Sequence, residues 1–144
     1  MLTDILNAFK SPKPSPLRTD DAQLAMAALL VRLARADQDY SDEEKELIGT
    51  LLQSRFSLAE EQADALRAQA EELEAKAPDT VRFTKLIKDT VPYEQRQSVV
   101  RDLWAVVLAD GTRDAEENSM MRMLANLLGV NDRDSALARQ SVDK

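Results

Sequence analysis

A chain of 144 residues with 44% apolar content is long enough to bury one hydrophobic core and too short for two comfortable domains. With only three Gly, five Pro and 4% aromatic residues, and no alternating apolar stretch, it reads as all-helical rather than sheet-forming. A formal charge of -7 argues against nucleic-acid binding, and the absence of His and Cys excludes disulfides, thiolate nucleophiles and imidazole or thiolate metal sites.

Met1, Leu2, Ile5, Leu6 and Phe9 recur at helical spacing, so residues 1–10 are expected to form a short amphipathic helix. Its apolar face either folds back onto the domain or docks on a partner or membrane surface. A lipid binder would carry a basic polar face, whereas this segment has one Lys and one Asp. Pro12, Pro14 and Pro16 then enforce an extended linker over residues 11–18. No run approaches the roughly 20 apolar residues of a membrane span, and the amino end lacks the features of a secretory signal. A cytoplasmic location is expected.

Residues 19–142 are expected to form one helical domain. Thr19 or Asp20 caps a first helix whose core side chains are Leu24, Ala27, Ala28, Leu30, Val31, Leu33 and Ala34. Ser41 with Glu44 forms a capping box ahead of Leu47, Ile48, Leu51 and Leu52. Ser57 with Glu60 is read as a second capping box, opening a helix that runs to Lys76. In that helix Ala63, Leu66, Ala70, Leu73 and Ala77 form a seam, for packing inside the bundle or for a homodimer. Arg67, Gln69, Glu71, Glu72 and Glu74 are expected to cover its solvated side.

Pro78 ends that helix, and Asp79 or Thr80 caps the next, with Val81, Phe83, Leu86 and Ile87 as its core. Pro92 starts a long helix bearing Val99, Val100, Leu103, Trp104, Val106 and Val107, with Trp104 expected at the centre of the core. Another helix carries Met120, Met121, Met123, Leu124, Leu127 and Leu128 and closes at Gly129. Asn131 with Asp134 starts the last one, ending near Arg139. About seven helices and a short N-terminal one result.

Two acidic stretches organise this series. Ala36-Asp37-Gln38-Asp39-Tyr40-Ser41-Asp42-Glu43-Glu44 and Ala109-Asp110-Gly111-Thr112-Arg113-Asp114-Ala115-Glu116-Glu117 align without a gap. They match at the Ala, the first Asp, a capping residue and both glutamates. Upstream, Ala27, Leu30, Val31, Leu33 and Ala34 correspond to Val100, Leu103, Trp104, Val106 and Val107; downstream, Leu47, Ile48 and Leu51 correspond to Met120, Met121 and Leu124. The pattern predicts a helical bundle of two pseudo-repeated helix-turn-helix halves.

Three roles compete for the acidic residues. The first is helix capping, which accounts for Ser41 with Glu44 and for Asp114 with Glu117 but leaves Asp37 and Asp110 at helix ends where the dipole disfavours them. The second is a divalent cation. Asp37, Asp39, Glu44, Asp110, Asp114 and Glu117 are hard oxygen ligands of the kind Ca2+ or Mg2+ takes, although Asp42 and Ile48 stand where an EF-hand needs Gly and Glu. The third is a surface for a basic protein partner. An enzyme is not expected: no glycine-rich phosphate loop or nucleophile elbow is present, and Tyr40 and Tyr93 read as surface or packing residues.

Ala109-Asp110-Gly111 with Asp114 and Glu117, and the weaker copy at Ala36-Asp37 with Ser41 and Glu44, resemble the signature of the TerB-like family of tellurite-resistance operons. The similarity spans roughly residues 21–142, with Gln38 in place of the usual Gly in the first copy. The resemblance implies an all-helical bundle of two related halves and a role in bacterial tellurite and membrane-stress responses. It also implies an accessory domain that is cation-responsive or binds a protein, including membrane-associated ones. It implies no reaction.

Overall fold

Helix and short connection alternate along the described residues, and in the computed structural model these form seven α-helices and one 3-10 turn, with no strand among them. These residues are 19–37, 40–76, 80–109 and 115–142; the expected N-terminal helix and proline linker lie outside them. The helices are α1 (Thr19–Ala34), α2 (Asp42–Phe56), α3 (Glu60–Lys76), α4 (Val81–Thr90), α5 (Tyr93–Ala109), α6 (Ala115–Leu127) and α7 (Asp132–Val142). The 3-10 turn, Arg35–Asp37, continues directly from α1.

Helix α1 is the axis of the bundle. Residues 24–31 are all buried, and α1 packs against α2, α3, α4, α5 and α6. A helix apolar around its whole circumference satisfies that composition only when surrounded. Ala25, Ala27 and Ala28 have no exposed surface, so the neighbouring backbones approach α1 closely. Helix α5 lies beside α1 and carries the second long buried stripe, from Val99 to Val107, while α7 packs on α5. Positions aligned between the two acidic stretches share burial: Ala27 with Val100, Leu30 with Leu103, Leu33 with Val106, Ile48 with Met121.

The connections are set by local chemistry. Ser41 Oγ accepts the Glu44 N–H at 3.1 Å while Glu44 Oε1 accepts the Ser41 N–H at 3.1 Å, completing the expected capping box of α2. Asn131 Oδ1 accepts the Asp134 N–H at 2.8 Å and caps α7. Gly129, at φ +76°, closes α6: its N–H reaches the Asn126 carbonyl and the Val130 N–H reaches that of Ala125.

Other expectations are overturned. Ser57 does not cap α3; it stops α2 in the left-handed conformation at φ 54°, with the Leu58 N–H returning to the Gln53 carbonyl. The donor left at the start of α3 is the Ala59 N–H, which Gln62 Oε1 accepts at 2.9 Å. Thr80 precedes α4 but makes no side-chain cap: its backbone is already helical, at φ -80° and ψ -25°, and its Oγ1 accepts a bond from Arg32 instead. Val81, expected in the core, is 51% exposed, and Met123 on α6 is 42% exposed. Trp104 is buried in the core as a half-polar anchor, its Nε1 donating to Ser135 Oγ at 3.1 Å and its ring facing the Arg139 guanidinium. Ala63, Ala70 and Leu73 are buried within the chain, so those seam residues pack the bundle itself. Helix α7 continues past Arg139 to Val142.

Candidate functional site

The first acidic turn is held by side chains from both of its flanks. Arg32 and Arg35, one helical turn apart, reach across to α3, where Glu71 and Glu74 have the same spacing. Arg32 Nε donates to Glu74 Oε2 at 3.1 Å and Arg35 Nη1 to Glu74 Oε1 at 2.6 Å, so one carboxylate joins two guanidinium groups. Backbone carbonyls add to this clamp: Arg32 Nη2 donates to the Glu74 oxygen at 3.2 Å and Arg35 Nη1 to that of Glu71 at 3.3 Å.

On the far side of the turn, the Tyr40 hydroxyl donates to Glu71 Oε2 at 2.5 Å, and Arg67 Nη1 donates to the same oxygen at 2.5 Å. The Tyr40 ring lies 5.1 Å from both the Arg35 guanidinium and the Lys45 ammonium. Arg35 and Tyr40 are thereby both anchored to one face of α3. Burial raises the Tyr40 phenol well above its ordinary range, and the bond to Glu71 adds to that. Burial also acts to raise the Glu71 carboxyl, but the Tyr40 and Arg67 bonds and the nearby guanidinium charges outweigh it and hold Glu71 below the usual carboxylate range.

The 3-10 turn also lies against α6, the helix that follows the second acidic stretch. Of the residues expected to hold a cation, Glu44 is the one whose side chain is described, and it serves the capping box. Asp37 closes the 3-10 turn and Glu117 lies in the first turn of α6, with their side chains outside the described residues. Asp39, Asp110 and Asp114 lie outside entirely. Among the described residues no three carboxylates gather at metal-binding spacing.

Glu71 and Glu74, assigned from the sequence to a solvated face, are the partly buried centre of this clamp. The signal was present: an Arg pair and a Glu pair with the same one-turn offset can meet between neighbouring helices, once those helices are known to be neighbours. A second interior pair was also missed. Arg55 Nε donates to Asp102 Oδ2 at 2.6 Å and Arg55 Nη2 to Ser98 Oγ at 2.7 Å, joining α2 to α5. Tyr93 parallels Tyr40, its hydroxyl donating to Asp134 Oδ2 at 2.5 Å, where Gln97 also binds at 2.9 Å.

A family model described as tellurite resistance protein TerB matches residues 23–140. The chain belongs to the TerB family. No curated protein and no solved structure matches it. The TerB match takes in the clamp, both acidic stretches and the greater part of α1 and α7, and leaves residues 1–22 before it. For this TerB chain the family accounts for an all-helical, tellurite-resistance-like module, and no described helix is long and apolar enough to cross a membrane.

Proposed function

We propose that this TerB-family chain is a non-enzymatic module of tellurite-resistance type whose two acidic turns jointly bind a divalent cation, Ca2+ or Mg2+. The observation that carries the reading is the packing of the 3-10 turn Arg35–Asp37 on α6, because that turn begins the first acidic stretch and α6 carries the end of the second. Asp37, Asp39, Asp110, Asp114 and Glu117 supply oxygen ligands, and Glu44 contributes the cap that shapes its turn. The clamp on α3 supports the reading, since it holds Arg35 and Tyr40, which bracket Asp37 and Asp39 in the chain, and so limits the entropy lost on coordination. Like charges drawn together from two turns are relieved by a cation.

Calorimetric melting with millimolar Ca2+ or Mg2+ tests this directly. A cation at a hundredfold excess over its dissociation constant adds about 2.7 kcal/mol, which for a domain of this size raises Tm by roughly 8 °C. The double variant Asp110→Asn with Glu117→Gln is expected to lose that rise while melting normally without metal. An unaltered wild-type Tm with either cation overturns the proposal.

A second reading, a metal-independent adaptor for a basic or membrane-associated protein, draws support from the charge of -7 and from Met123, which is exposed on α6. Binding that survives chelation but is lost in Asp37→Lys with Asp110→Lys selects it.

A further inference from the structure

We propose that the apolar face of residues 1–10 docks into a cleft at the N-terminal end of α1, so that the segment ahead of the TerB domain is its intramolecular ligand. The cleft has a volume of about 490 Å³, within the size range of ligand pockets. Ala22 and Met26 on α1, Phe56 at the end of α2 and Val91 just after α4 give it apolar lining. Gln23, Arg55, Thr90 and Gln95 line it as well, and such mixed apolar and polar lining suits an amphipathic helix. Arg55 is fixed in that lining by its bonds to Asp102 and Ser98, so this wall is set before anything enters.

The position of the cleft selects the occupant. The described chain begins at Thr19, and Ala22, Gln23 and Met26 lie on the first two turns of α1, within about 10 Å of that point along the helix axis. Pro12, Pro14 and Pro16 prevent a helix from running straight into α1, and the eight residues 11–18 span about 25 Å when extended. That length suffices for residues 1–10 to fold back along α1. A tether this short gives an effective concentration of millimolar order, so even a weak apolar contact is populated without a separate partner. Met1, Leu2, Ile5, Leu6 and Phe9 provide the matching apolar stripe.

The chain has no Cys, so Asn7→Cys gives the full-length protein a single attachment site for a nitroxide, opposite the apolar stripe. With 15N-labelled protein, the amides of Gln23, Phe56 and Gln95 are expected to lose at least half their intensity relative to the reduced label, and more than any others. Adding Leu6→Asp and Phe9→Asp is expected to restore them while leaving the melting curve unchanged. Cleft signals that stay sharp in solution, whether or not the chain then binds phosphatidylglycerol vesicles, overturn the proposal. So does strongest broadening elsewhere, such as at Ser98 and Leu137, or broadening that survives the two Asp substitutions. Cleft broadening in a mixture of nitroxide-bearing unlabelled chain and 15N chain without nitroxide assigns the site to a second copy and also overturns it.

Discussion

Tyr40 and Glu71 share one hydrogen bond but make stability depend on pH in opposite ranges. Glu71 has its folded pKa below the ordinary 4.5, so its contribution is present above that pH and is lost as the pH falls through the folded value. Tyr40 has its folded pKa above the ordinary 10.0, so its contribution is complete below that pH and is lost as the pH rises beyond it. Glu71→Gln should cost about 1.5 kcal/mol at neutral pH and show a shallower loss of stability in acid than wild type. Tyr40→Phe should flatten the alkaline limb instead. Urea unfolding across pH checks both, and parallel curves for wild type and Glu71→Gln in acid would remove the carboxylate from the centre of the clamp.

Helix endings divide those that local sequence specifies from those that it leaves open. Ser41 with Glu44, Asn131 with Asp134 and Gly129 all cap as their residue types predict, because each bond spans only a few positions. Ser57 with Glu60 has the same pattern as Ser41 with Glu44, yet Ser57 terminates the preceding helix at φ 54°. Helix α2 runs one residue beyond Arg55, to Phe56, and the packing of Phe56 and Leu58 against the core outweighs the local preference for a cap. The two assignments differ in sign. Ser57→Gly should stabilise the protein by about 1 kcal/mol by relieving a left-handed non-glycine residue, whereas loss of an N-cap would destabilise it. The urea midpoint of this variant decides between them.

Burial of α1 on all sides makes the whole bundle sensitive to volume at its axis. Ala28→Leu adds three carbons where no surface is exposed and should cost about 3 kcal/mol, while Val81→Ala, at a half-exposed position, should stay within about 0.5 kcal/mol. Equal effects in denaturant titration would contradict the central position of α1. The amino-acid sequence by itself determined the helical class, most helix ends and the buried stripes of α1 and α5, because these rest on residue propensities and on spacings of three or four positions. Which helices become neighbours was decided only by the tertiary structure. That choice made Glu71 and Glu74 partners of Arg32, Arg35, Arg67 and Tyr40 rather than a solvated face, paired Arg55 with Asp102, and turned Val81 and Met123 outward. The physical reason is that an ion pair or an apolar contact between distant residues depends on distance in space, and helical periodicity fixes only the face from which a side chain projects.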